Sequence, residues 1–144
     1  MVAELGNKIL VAGGAVAVAV GAYLPWLRTN PNLPPDAEVP TIYYTGMGAG
    51  FEGFDFALLG AVGLVLLLRG ASFRIPIRIV AGVGTAVFPV YYLSYSTLFG
   101  FSATFVPALG WYLTVLGGIL LSVAGGLQLP SLIHRLKATA TPRE

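Results

Sequence analysis

Gly46-Met-Gly-Ala-Gly-Phe-Glu-Gly-Phe-Asp-Phe56 opens an apolar run that ends at Leu68. Where a helix starts within it decides how often the chain crosses a bilayer. The purely apolar part, Phe56 to Leu68, has only 13 residues. That is about 20 Å of helix against a hydrocarbon core of roughly 30 Å. To span, this helix must begin near Ala49 or Gly50. Counted back from Arg69, Asp55 then lies about 21 Å up, below the outer interface. Glu52 is one turn above it, on nearly the same face. A carboxylate at that depth is normally paired, protonated or water-lined, and is a functional candidate by default. Two readings are open. In one, Asp55 caps the first turn and locks the loop, with Arg28 as the cation on that side and Trp26 beside it. In the other, Glu52 and Asp55 face a ligand or an ion at the outer mouth.

Composition sets the solvent. Of 144 residues, 56% are hydrophobic and 10% charged, where soluble domains carry about 25% charged residues. With a mean hydropathy of +0.82, the chain reads as an integral membrane protein in one domain, residues 1–144. The other uncharged runs agree. Ile9 to Trp26 is 18 residues without charge. Ile79 to Tyr95 is interrupted by Pro89, which is expected to kink its helix. Pro107 introduces the last run, which reaches Leu129. The predicted spans are therefore about 9–26, 50–68, 77–95 and 108–129. An outer loop covers 27–49 and a cytoplasmic tail 130–144, with a short amphipathic end at Ser131 to Lys137. The loop holds turn and polyproline chemistry at Asn30 to Asp36, then the strand-like Val39 to Thr45. The fold class is an all-α up-down bundle of four transmembrane helices, with a long first outer loop containing a short β-like segment. Ala15-Val-Ala17 and Ala17-Val-Ala19 mimic a signal-peptide cleavage site, but the n-region is weak.

The basic residues fix orientation. Lys8, Arg69, Arg74, Arg78, Arg135, Lys137 and Arg143 fall on one side, and Arg28 alone on the other. The positive-inside rule then makes both termini cytoplasmic, in a multi-pass protein of the cell membrane. This distribution explains the net charge of +2 without nucleic acid. Arg69, Arg74 and Arg78 are placed to meet lipid headgroups, although three arginines fall short of a lipid-recognition cluster of roughly 4–8. Small residues recur at four-residue spacing as Gly13, Ala17 and Gly21, and again as Gly118, Ser122 and Gly126. That pattern allows close helix approach within the bundle or with a partner. Trp26, Tyr43, Tyr44, Tyr91, Tyr92, Tyr95, Trp111 and Tyr112 all lie toward the outer side, as an interfacial belt or the lining of a pocket.

Other chemistries lack their residues. Gly48-Ala-Gly-Phe-Glu-Gly53 matches G-x-G-x-x-G. Yet a membrane helix follows it, and arginines stand where a dinucleotide site needs an acid. There is no cysteine and a single histidine, His134. Thiolate nucleophiles, Cys or His metal sites, bis-His haem and a Ser-His-Asp set are therefore not expected. No cofactor and no enzymatic activity are expected. The favoured function is an interaction or accessory protein that assembles with itself or a larger membrane partner. The alternative is a small transporter or channel subunit using Glu52 and Asp55.

Leu24-Pro-Trp26, then a loop, then Gly50-Phe-Glu-Gly-Phe-Asp55 resembles a pattern in small four-span membrane proteins of archaea and bacteria, the haloarchaeal ones in particular. The resemblance covers about the first half of the chain and implies a fold but no activity. In topology the chain is also similar to the claudin-type bundle, with its long first outer loop. It has no cysteine, so the W…C…C loop pattern of that family is missing and the likeness is architectural.

Overall fold

A computed structural model of the chain describes residues 2–34, 53–67, 74–98 and 105–140. The strand-like Val39 to Thr45, Glu52, Arg69 and the segment 35–52 lie outside the described residues. Five helices dominate: α1 Val2–Tyr23, α2 Gly53–Leu67, α3 Arg74–Leu98, α4 Leu109–Gly126 and α5 Leu129–Ala140. Two short strands complete the order, β1 Leu27–Thr29 and β2 Phe105–Pro107. Three stretches are long and apolar enough to cross a membrane: Glu4–Tyr23, Ile75–Ser94 and Leu109–His134. The apolar part of α2, Asp55–Leu67, is shorter.

Helix ends depart from the apolar limits for local reasons. α1 begins in the polar leader because Glu4 and Lys8, at i and i+4, pair at 2.9 Å on its surface. It stops at Tyr23, just ahead of Leu24, whose backbone Pro25 disfavours as helix. α3 takes in Pro76 within its first turn, where the missing N–H costs nothing. After α4 the chain turns at Leu127 and Gln128, with Pro130 in the first turn of α5. The amphipathic end is thus longer than Ser131 to Lys137.

α4 is the central helix, packed against α1 on one face and α3 on the other. Its α1 face carries Gly110, Thr114, Gly117 and Leu121, all buried. A Cβ on Gly117 would stand 2.7 Å from the Gly14 carbonyl oxygen and 2.8 Å from the Val18 nitrogen. One on Gly21 would stand 2.6 Å from the Thr114 nitrogen. The register 14-to-117 and 21-to-114 makes the two helices antiparallel. On the other face, a Cβ on Gly118 would lie 2.5 Å from the Ala86 nitrogen, one on Gly82 2.5 Å from the Ser122 nitrogen, and one on Gly125 2.7 Å from Ile79 Cγ1. α3 is therefore also antiparallel to α4, and parallel to α1. Apart from Gly125, which meets the Ile79 side chain, these are backbone-to-backbone contacts that only glycine allows.

The small-residue face is thus shifted from the expected one. Gly13 and Gly126 have nothing within 4 Å of a Cβ position. Gly14, Val18 and Gly21 form the α1 contact, while Gly118 and Ser122 do meet α3 and Gly82. Both four-residue series drift off the contact face because the helical repeat is 3.6.

α2 completes the core with Leu58, Val62 and Val65, packed with Val11, Ala15, Val18 and Ala22 of α1. At the end away from both termini the chain closes on itself through a sheet the sequence did not announce. β1 pairs antiparallel with β2, Arg28 opposite Val106. The Pro25 carbonyl accepts from the Gly110 N–H at 3.0 Å and that of Trp26 from the Ala108 N–H at 2.8 Å. The start of α4 has no side-chain cap, so backbone carbonyls of the α1 corner satisfy its exposed N–H groups.

We predict that Gly117→Val forces α1 and α4 apart and lowers stability by about 1–3 kcal/mol. Gly13→Val should stay within about 0.5 kcal/mol. Unfolding midpoints of the two variants in detergent check both.

Candidate functional site

The end of the bundle away from the termini is built around Trp26. It follows Pro25 in the corner after α1 and is only 2% exposed. Its Nε1–H donates to the Gly21 carbonyl at 2.9 Å. Its ring meets Phe88 and Tyr92 of α3 edge-on, with centroids 6.1 and 5.8 Å apart. Such pairs add to stability beyond their buried area. Trp26 is therefore a core bolt between α1 and α3 rather than an interfacial anchor. Trp111 acts similarly at Pro89, inside α3, its Nε1–H donating to the Pro89 carbonyl at 2.8 Å. Tyr23, Tyr91 and Tyr112 remain exposed around this rim, as a belt requires.

Asp55 is completely buried. It lies in the first turn of α2, where the helix dipole and the unsatisfied amides favour a carboxylate. Its position continues the buried stripe Leu58, Val62 and Val65 of the same helix. Arg28 is not its counter-ion. It sits at the centre of β1 with its side chain exposed, and among the described residues no ion pair joins the two. The alternation of a strand explains this: Leu27 turns inward, so Arg28 turns outward. Glu52 lies outside the described residues.

The opposite end, where α1 begins and α4 stops, carries Arg78, expected at the headgroups, together with Asn7 and Gln128, which the sequence reading did not single out. Asn7 and Arg78 are each 8% exposed. Arg78 Nη1 donates to Gln128 Oε1 at 3.3 Å, so this arginine turns into the bundle instead of toward open headgroups. Arg74 is the first residue of α3. Asn7 was legible in principle. It precedes Val11, Ala15, Val18 and Ala22 at helical spacing, on one buried stripe. Asn7, Lys8, Arg78 and Gln128 border a cavity of about 590 Å³. A second, almost wholly apolar depression of about 580 Å³ lies on the outside of α1, between Gly13, Val16, Ala17, Val20 and Leu113. Among the described residues no group of His, Asp and Glu side chains is placed to hold a metal ion.

No family model, curated protein or solved structure matches the chain. Function must therefore be argued from the geometry itself.

If Asp55 and Trp26 hold the mouth together, their loss shows in stability. Trp26→Phe is expected to cost about 1 kcal/mol for the lost hydrogen bond alone. Asp55→Asn should cost about 1–3 kcal/mol, as for a disturbed buried polar group. Arg28→Gln should stay within about 0.5 kcal/mol. Thermal unfolding in detergent ranks the three, and an Asp55→Asn protein as stable as the parent would contradict the structural role.

Proposed function

We propose that the chain is a multi-pass protein of the cell membrane in which α1 to α4 all span, with N- and C-termini cytoplasmic. We further propose that it is a non-enzymatic interaction or accessory protein that assembles with a second copy or a larger membrane partner. Helix direction supports the four spans. α1 and α3 are parallel, so the chain must return between them, and α2 is the element available to carry it. α2 has 15 residues, about 22 Å. Charge supports the orientation, since Lys8, Arg78 and Lys137 belong to one end and Arg28 to the other.

One observation carries the assembly reading. Among the described residues, none covers the face of α1 bearing Gly13 and Ala17, which forms a depression lined also by Ile9, Val16 and Val20. Small residues flanked by β-branched ones let a further helix approach closely. Full burial of Asp55 favours a lock over a conducting carboxylate, so the transport alternative gains nothing.

The chain has no native cysteine, which makes single-cysteine crosslinking in native membranes clean. Gly13→Cys and Ala17→Cys should trap a dimer of twice the chain's 15.1 kDa, or a defined adduct with a larger protein. Val90→Cys, on an exposed part of α3, should trap neither. The assembly reading fails if Gly13→Cys behaves like Val90→Cys.

A further inference from the structure

α5 stands outside the packing of the bundle. The helices that pack on one another are α1 with α4, α3 with α4, α1 with α2 and α2 with α3. α5 is nevertheless two-faced. Leu129, Leu132, Ile133 and Leu136 fall at i, i+3, i+4 and i+7, the spacing of an apolar stripe. The rest of the helix includes His134, Arg135 and Lys137 and no acidic residue. Leu129 and Ile133 are exposed. The backbone also restarts here. Leu127 N–H donates to the Val123 carbonyl at 2.9 Å, Gln128 N–H tightens to Gly125 at 3.1 Å, and the ladder resumes with Leu132 N–H on Gln128 at 3.3 Å. Pro130 has no N–H to carry it across, and Ser131 Oγ donates to the Gln128 carbonyl at 2.7 Å. A helix that restarts at a proline need not prolong the axis of the one before it.

Position in the fold says what covers the stripe. α4 has 18 residues, about 27 Å of helix, close to the roughly 30 Å of a hydrocarbon core. α5 therefore starts where the crossing is complete. The outward side of α4 is an exposed stripe of Leu109, Tyr112, Leu116, Ile119 and Val123, at spacings of three and four. Continued at those spacings, it passes Gly126 and Pro130 to Ile133. These three residues, with Leu129, line one depression of about 310 Å³. The surface that lipid covers on α4, in the membrane reading above, thus runs without a break onto α5. We propose that α5 is an interfacial helix whose partner is the phospholipid leaflet itself. It lies along the bilayer surface at the end where α1 begins, with Leu129 and Ile133 among the first carbons of the acyl chains and Ser131, about 200° round the helix from Ile133, turned toward water. Such a helix buries its apolar face about 5–10 Å into the boundary between headgroups and chains. This rests on the membrane reading proposed above.

The chain has no native cysteine, so Val123→Cys, Ser131→Cys and Ile133→Cys can each carry one bimane label. All three side chains are exposed, so a label leaves the packed faces undisturbed. The full chain is placed in nanodiscs of phosphatidylcholine and phosphatidylglycerol. Quenching is read with iodide from the water and with phospholipids that bear a nitroxide near the headgroup end of the acyl chain. The Ile133 label should be quenched by the nitroxide lipid and lose its response to iodide. The Ser131 label should show the reverse, and the Val123 label should respond to lipid alone. Iodide quenching at both Ile133 and Ser131, with Val123 still quenched by lipid, overturns the proposal and leaves the membrane reading intact. Lipid quenching at both α5 positions means that α5 prolongs the α4 span, and overturns it too. Shielding of Ile133 from both quenchers does the same, because a second copy or another protein then covers the stripe. Iodide quenching at all three positions overturns the membrane reading, and this one with it.

Discussion

The backbone of α4 lies directly against the backbones of α1 and α3, and the rest of the structure depends on that approach. Gly110, Gly117, Gly118 and Gly125 leave no space where a Cβ would be. In a lipid solvent the hydrophobic effect gives helices little reason to associate, so contact must come from dispersion and polar groups at short range. Glycine shortens that range. The hydroxyls on α4 fit the same constraint. Thr114 and Ser122 donate to carbonyls of their own helix, Gly110 at 2.8 Å and Gly118 at 2.9 Å. They present small, satisfied surfaces to the neighbours. α2 lacks such a face: Gly60 and Gly63 have nothing within 4 Å of a Cβ position. It joins the bundle through the larger side chains Leu58, Val62 and Val65.

The buried charged groups of the core, with Asn7, sit at its two ends, while the only other buried polar side chains among the described residues are the threonines Thr85 and Thr114 along α3 and α4. Asp55 and the Trp26 corner occupy the end away from the chain termini, Asn7 and Arg78 the other end, and the valines and alanines of α1 lie between them. An apolar middle is what a bilayer-spanning core demands, since a polar group at the centre finds no water. Charged groups near the ends gain access to headgroups and to helix dipoles. The Asp55 carboxylate suits the N-terminus of α2, and the Arg78 guanidinium, carried near the N-terminus of α3, faces the C-terminal end of α4 at Gln128.

The helices were legible in the sequence because uncharged runs of membrane length are hard to mistake. Their ends were less so. Val2–Lys8 reads as a polar leader, yet it continues α1 through an i,i+4 pair. The packing face was visible as a pattern and holds at Gly21, Gly118 and Ser122, but Gly13 and Gly126 fall off it, since a strict four-residue repeat winds off a helix of 3.6. The β1–β2 pair was not visible. Each strand has three residues, and their partners are far apart in the chain, so no local pattern marks them. At the candidate site, aromatic position alone assigned Trp26 to the interface. Only the fold shows that its N–H reaches Gly21 inside. The Arg28–Asp55 lock failed because strand alternation cannot be read before the strand is known.

The β1–β2 pair has a consequence for how the protein is made. It ties the exit of α1 to the entry of α4, and these lie at opposite ends of the sequence. α1 is synthesised well before α4, its main packing partner. Until Gly110 and Gly117 arrive, the groove at Gly14 and Gly21 faces lipid, or α2 alone. α1 must therefore be a stable span by itself, and its long uncharged run provides for that. The clasp forms only when the final span is in place. It closes only after the three preceding helices have been made.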